Sequence, residues 1–358
     1  MTVNLLAVAL LLLAVLSVHI PPEKAHAIAM LGVAFEQLVV INLFFALSWL
    51  FTHKKLWCLV SVLALLFSLS ALKASWPNPF RNEIEILGER RLKVLTYNTH
   101  LLQNSTPVER NELLRYVKNS GADVVCMQEY AVYKDRHYPT FNAVKHFLKD
   151  EYPYSYFDFS VHNRRIQYGL AVYSKYPLIH KQSIRLETHG NGANYCDIIY
   201  SPSDTIRLFN VHLESNSLVA SDIDSMLSLH GTIPAKLPHA YARRSAQVRA
   251  VHAEISCSPH PVIVCGDFND VPVSYTYHVL SRSLNDAFLT AVNSSHASSY
   301  RKNWLSSLHA ATGHTYVRRQ MGVRIDYILS SPHLKATDFH VDQLPYSDHY
   351  PVTTTLCW

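Results

Sequence analysis

The chain is 358 residues long, carries a net charge of +5 with histidine neutral, and holds six cysteines. That length exceeds the roughly 250–300 residues a single hydrophobic core fills, so one large domain with an extra module is expected. No cysteine spacing suggests a disulfide framework or a metal knuckle, and the charge suits anionic partners such as phosphates, nucleic acid or lipid headgroups.

From Asn4 to Leu72 nearly every residue is apolar, with charges only at Glu23, Lys24, Glu36, Lys54 and Lys55. Three runs, Asn4–Ile20, Ala27–Phe51 and Leu56–Leu72, are each close to the ~20 residues that cross a bilayer core and predict three membrane spans. A cleaved leader, for which Ala25-His26-Ala27 offers a site, is disfavoured because no Lys or Arg precedes the first run and two more runs follow. Glu36 falls inside the second span, where a carboxylate needs a partner, and a helix–helix contact is the expected one. The loop Thr52–Lys55 carries two lysines and no acid, whereas Pro21–His26 carries one Lys beside Glu23. By the positive-inside rule this puts the globular part on the non-cytoplasmic side, although Lys73, Arg81, Arg90 and Arg91 pull the other way. The organisation reads as a membrane anchor over 1–73, a linker over 74–91 and a soluble domain over 92–358.

In the soluble part, apolar runs closed by polar or turn residues predict strands over Leu92–His100, Asp123–Tyr130, Gly169–Pro177, Tyr195–Ser201, Thr205–Ser215, Pro261–Asp270 and Arg324–Ser331. Helical spacing marks Pro107–Gly121 and His239–Ile255. Many short strands with few helices predict an α/β (α+β) body of stacked sheets flanked by helices. No internal repeat is present.

The strands share one feature: their last residues are acids, amides or histidine. The first ends at Asn98, the second at Glu129, and the next ones carry His212, Asp267 with Asn269, and Asp326; Tyr346–Val352 adds Asp348 and His349. Taken singly, each has an ordinary role. His212 suits a core histidine, Asp267 and Asn269 suit a turn, and Asp348-His349 suits a surface loop. Asp326 is different, since an acid alternating into an apolar strand needs a partner. Meeting at one edge, the eight side chains would repel one another unless a divalent cation sat among them. Oxygen ligands favour magnesium or manganese over zinc, and a cation with imidazoles is the equipment for hydrolysing a phosphoester.

In chain order, "LTYNTH", "VVCMQEY", "LFNVHLES", "VIVCGDFND", "RIDYIL" and "SDHYPV" resemble the signature of the endonuclease/exonuclease/phosphatase (deoxyribonuclease I-like) superfamily over Lys93–Leu356. The resemblance implies a four-layered α/β sandwich of two mixed β-sheets flanked by helices, here preceded by the N-terminal helical transmembrane segment. It implies Asn98, Glu129 and Asp348 as metal ligands for Mg2+ (or Mn2+), and His212, Asp267, Asn269, Asp326 and His349 as catalytic residues. Within these, Glu129 is the principal ligand and Asn98 a ligand or phosphate contact. Asp326 and His349 form a phosphate-binding or water-activating dyad, Asp267 orients water, Asn269 steadies phosphate and His212 faces the leaving group. Tyr97-Asn98 stands where nuclease members carry Trp-Asn, which is closer to phospholipase and lipid-phosphatase members. The implied activity is a membrane-anchored phosphodiesterase or phosphomonoesterase, with a lipid headgroup favoured as substrate because Asn216–Pro238 carries little positive charge. A DNA or RNA nuclease and a non-catalytic binding module are the alternatives. Arg243, Arg244 and Gln247 resemble an Arg-rich stretch of membrane-linked members and equally suit a solvated helix face. His100, His162, His189 and His314 read as surface histidines, and no protein partner is implied.

Overall fold

Successive side chains of a strand point to opposite faces of its sheet, and in this protein that alternation separates a dry interior from a charged rim. The computed structural model describes residues 1–76, 88–102, 107–135, 137–187, 190–216, 236–291, 313–318 and 321–358. The chain folds as two units: Met1–Trp76 with Glu214–Val248 and Asp270–Val279, and Pro77–Leu213 with Arg249–Asn269 and Leu280–Trp358.

The second unit holds the strands: β1 (Arg91–Asn98), β2 (Val124–Tyr133), β3 (Tyr154–His162), β4 (Ile166–Ser174), β5 (Leu178–Ile184), β6 (Gly192–Ser201), β7 (Asp204–His212), β8 (Val262–Asp267), β9 (Asn285–Asp286), β10 (Tyr316–Arg318), β11 (Met321–Val323), β12 (Asp326–Ser330), β13 (Lys335–Ala336), β14 (His340–Val341) and β15 (Val352–Cys357). One sheet runs β13-β15-β1-β2-β4-β3 with β14 also on β15, the other runs β5-β6-β7-β8-β12-β9, and β10 and β11 form a separate ribbon. Each large sheet is mixed around one parallel pair, β1 with β2 and β7 with β8.

Between the sheets lies a core built on Leu92, Val94, Cys126, Cys196, Leu208, Ile263, Cys265 and Ile328, all fully buried. Cys126 and Cys265 are free thiols within it, as their place in apolar strands implies. The outer face of the first sheet, with Leu95, Tyr97, Val125 and Met127, packs on Leu113, Leu114, Val117, Val144 and Leu148. Those residues come from the helices Glu112–Asn119, capped by Asn111, and Phe141–Leu148, capped by Thr140. The fold is therefore two mixed sheets flanked by helices. The helix expected from Pro107 begins only at Glu112, because Val108–Arg110 forms a separate 3-10 turn. Eight strands were not expected: β3, β5, β9, β10, β11, β13, β14 and β15. Tyr346–Val352 is mostly the loop that enters β15.

In the first unit, helices Thr2–His19 and His26–Leu50 are long and apolar enough to cross a membrane. The third run is bent by 53° between Lys55–Phe67 and Leu69–Ser75. Ser68 Oγ donates to Leu65 O at 2.8 Å, a back-bond that bends helices. Asn4 Nδ2 donates to Ser61 Oγ (2.7 Å) and Trp49 Nε1 to Asn4 Oδ1 (2.8 Å), stitching the three runs together. The partner of Glu36 is the Trp76 indole N–H, at 3.1 Å. Arg244 does not face solvent: it is fully buried, donating to Glu214 O and Asn216 Oδ1 and paired with Asp270 at 3.1 Å. Gln247 donates no solvent face either, since its Oε1 accepts from Glu214 N–H at 2.8 Å. The segment Asn216–Pro238 falls largely on 217–235, outside the described residues.

Gly266 closes β8 with φ 139°, and a Cβ there would meet Val211 O at 1.9 Å. Gly266→Ala is expected to lose roughly 3 kcal/mol or more. Gly192→Ala, whose Cβ would meet only Leu170 Cδ1 at 3.6 Å, serves as a near-neutral control. Denaturant midpoints of the two variants check the difference.

Candidate active site

Parallel strands end where antiparallel ones begin, so the C-terminal ends of β1, β2, β7 and β8 share an edge with the start of β12 and the loop entering β15. Strand register does the rest. His212 pairs with Asp267, and Asp267 with Asp326, so the three stand side by side on one face of the second sheet. Asn98, the last residue of β1, reaches across: its Nδ2 donates to Asp267 Oδ2 at 3.0 Å and to Glu129 Oε1 at 3.3 Å.

One rung deeper, Gln128 Nε2 donates to Thr96 Oγ1 (3.0 Å) and to Asn210 Oδ1 (2.7 Å), while Asn210 Nδ2 donates to Met127 O and Ala171 O. These buried amides brace the two sheets beneath the site. At the rim, Asp267 Oδ1 accepts from Asn269 N–H (2.8 Å), and Asn269 Nδ2 donates to Leu213 O (3.0 Å) and Asp267 Oδ2 (3.1 Å). The backbone N–H of Asp326 and that of Ile325 both donate to Thr315 Oγ1. His349 Nδ1 is 2.9 Å from Asp326 Oδ2, and its Nε2 is 3.7 Å from Asp267 Oδ2. His212 Nε2 lies 3.7 Å from Glu129 and 3.8 Å from Asp267.

All eight residues expected from the sequence thus lie in one neighbourhood, Asp348 through its sequence neighbour His349 and through His100. His100 is not a free surface histidine: its Nδ1 is 2.7 Å from Asp348 Oδ1 and its backbone N–H donates to Asn98 Oδ1 at 3.1 Å. The only sequence signal was its place two residues after Asn98. Tyr168 was also missed, and its phenol lies within electrostatic reach of Glu129 and Asp267. His162 is exposed as expected, His314 is half-buried, and His189 lies outside the described residues.

Burial pushes the Asp267 carboxyl up to about 6, against the pull of His349. Burial alone would lower His349, but the charges of Asp326 and Asp267 outweigh it and push the imidazole up to about 10. Half-burial would raise Asp348, but its hydrogen bond with His100 holds its carboxyl below the usual range.

Four carboxylates gathered with three imidazoles fit a hard divalent cation. The ligand atoms of Asp267, Asp326 and His349 lie within 4.8 Å of one another, and buried Asp326 Oδ1 has no hydrogen-bond partner among the described residues. Glu129 and Asp348 are the accessible carboxylates, with 25% and 40% of their side chains exposed, and oxygen donors of this kind suit such an ion.

The His349 pair has a consequence for stability. Because folding raises this imidazole from 6.5 to about 10, its stabilising contribution is complete below pH 6.5 and is lost as pH rises through the folded value. In chelator-treated protein the thermal midpoint should fall across that window, and His349→Gln should flatten the decline. An unchanged slope in the variant contradicts the pairing.

Comparison with known proteins places this architecture. A model of the Endonuclease/Exonuclease/phosphatase family matches residues 95–349, and one of a domain of unknown function matches residues 1–75. No curated protein matches the chain significantly. Among solved structures, an endonuclease/exonuclease/phosphatase family protein from Leptotrichia buccalis is 17% identical over 75% of this chain and 100% of its own, with a TM-score of 0.52. One from Beutenbergia cavernae is 16% identical over 75% and 72%, with a TM-score of 0.51. TDP2 from C. elegans is 19% identical over 90% and 92%, with a TM-score of 0.50. At these identities the structures speak for the fold. The family model spans most of the chain, and this protein belongs to the endonuclease/exonuclease/phosphatase family of divalent-metal-dependent phosphoric ester hydrolases.

Proposed function

We propose that this protein is a membrane-anchored phosphodiesterase that uses Mg2+ (or Mn2+) to hydrolyse a lipid-headgroup phosphoester. Residues 1–73 serve as anchor, 74–91 as linker and 92–358 as the catalytic domain, which faces the non-cytoplasmic side. The observation that carries the chemistry is the row His212, Asp267 and Asp326 in register, bridged by Asn98 to Glu129. The lipid substrate is supported by the two long apolar helices carried in the same chain.

Glu129 and Asp348 would hold the cation, with Asn98 beside them. Bound there, it would withdraw charge from the phosphoryl oxygens. Asn98 turns its amide N–H groups toward Glu129 and Asp267 while its oxygen accepts from His100 N–H, which suits a phosphate contact better than a ligand oxygen. Asp267, with a pKa of about 6, is ionised at neutral pH and basic enough to take a proton from the attacking water. His349 remains protonated at neutral pH beside Asp326, so the dyad binds phosphate charge and leaves water activation to Asp267. Asn269 steadies the phosphate, and His212 gives a proton to the departing oxygen.

Full-length protein in detergent micelles should hydrolyse a choline- or inositol-bearing phosphodiester lipid with Mg2+, lose activity to chelator and recover it with Mg2+ or Mn2+. Glu129→Ala and His349→Ala should each lower kcat by about 100-fold or more. Cleavage of DNA alone replaces the lipid reading with a nuclease, and no hydrolysis of any phosphoester leaves a binding module. A reporter fused after Trp358 that is active only outside the cytoplasm checks the orientation.

A further inference from the structure

We propose that His100 is a positioning residue that holds Asp348 in the orientation required for cation binding. The inference rests on the reading of Asp348 as a ligand.

Asp348 differs from the other carboxylates of the site in how it is supported. Asp267 and Asp326 sit within strands, Asp267 paired by backbone ladders on both sides and Asp326 paired with it. Asp348 sits in the loop between β14 and β15, with 40% of its side chain exposed. Its short contact is His100 Nδ1 at 2.7 Å, whereas Ser347 Oγ stands 3.4 Å away, at the outer limit of a hydrogen bond. A loop carboxylate with so few contacts samples several rotamers unless one partner selects among them, and an imidazole N–H donating to a ligating carboxylate is suited to that selection.

His100 is in turn held with unusual care. His100, Leu101 and Leu102 have φ of 41°, 63° and 50°, three successive residues in the left-handed region without a glycine. The turn is closed by Leu102 N–H to Thr99 O at 2.9 Å and fastened by Tyr133 OH to Leu101 O at 3.2 Å. Thr99 Oγ1 bonds the carbonyls of Gln128 and Glu129, so the turn is keyed to the backbone that presents Glu129. From the other side, Ser347 Oγ donates to Asn98 O at 2.8 Å, tying the Asp348 loop to the exit of β1. A strained turn fixed at both ends is what places an imidazole rigidly.

The test is Mn2+ affinity, read by electron paramagnetic resonance on the full-length protein in detergent. His100→Leu and His100→Gln both remove the donor at the Nδ1 position and should weaken Mn2+ binding about 10- to 100-fold. His100→Asn puts an amide nitrogen at the Nδ1 position and tolerates positive φ, so it should recover affinity to within about threefold of the parent. Parent-like affinity in His100→Leu overturns the proposal, and so does recovery in His100→Gln without recovery in His100→Asn, which would give the ring a role through Nε2. Should His100→Leu fail to fold by circular dichroism, the Asn and Gln pair decides. Asp348→Ala separates the two layers of inference: parent-like affinity there removes the ligand reading of Asp348 itself, while lost affinity there beside a parent-like His100→Leu removes only the role of His100.

Discussion

The space between the two sheets must exclude water along most of its length and yet present ionisable groups at one end. The pleat satisfies both demands within single strands. Reading only the inner positions, β7 runs Ile206, Leu208, Asn210, His212, and β8 runs Ile263, Cys265, Asp267. β1 runs Leu92, Val94, Thr96, Asn98 in the same direction. Each strand therefore passes from hydrocarbon through a neutral hydrogen-bonding rung to a titratable or amide group at the rim. The middle rung of Thr96, Gln128 and Asn210 lets that gradient exist. Its amides bond one another and the neighbouring carbonyls, so these buried polar groups are satisfied between the apolar core and the charges above them.

Pleating alone does not aim the rim residues. Glu129 has φ 49° at the register shift between Met127 and Tyr130, where β2 bulges against β4. Such a bulge re-aims one side chain while pairing resumes on either side. Asn269 has φ 53° and is held by the Asp267 carboxylate accepting its N–H, the local bond that Asx turns use. Together with the turn at His100, these account for most of the left-handed non-glycine positions. Each costs about 1–3 kcal/mol, and the surrounding hydrogen bonds and register offset that cost. Strain gathered at one edge of an otherwise regular sandwich marks where side-chain direction matters more than local stability.

Much of this was legible in the sequence, because an apolar run closed by polar residues identifies a strand and its end at once. The strands carrying Asn98, Glu129, His212, Asp267 and Asp326 were readable for that reason, and with them the sheet architecture. What escaped were features whose cause lies elsewhere in the chain. β15 reads "VTTTLC", a threonine run with no polar-apolar contrast, and it becomes a strand by pairing with β1. The bend at Ser68 is invisible to hydropathy because serine is tolerated in apolar helices until its hydroxyl bonds the backbone. Arg243 and Arg244 look alike in sequence, yet one is exposed and the other fully buried against Asp270, a distinction set by a residue some 26 positions on. His100 was passed over because nothing adjacent in sequence shows that Asp348 will arrive beside it.

The two depths of the site divide its electrostatics in a way that sequence identity does not. Asp267 and Asp348 are the same residue, but burial drives one carboxyl up to about 6 while a hydrogen-bonded imidazole holds the other below the ordinary range. On the proposed reading, a proton released near neutral pH goes to the deep acid, and the cation is held by the accessible Glu129 and Asp348. The imidazoles reinforce the split: His349 is clamped between Asp326 and Asp267, while His100 stands at the mouth against Asp348. In the proposed chemistry, proton acceptance and cation binding thus fall to different carboxylates. The sandwich keeps them apart by placing one in a strand facing the core and the other in a loop facing solvent.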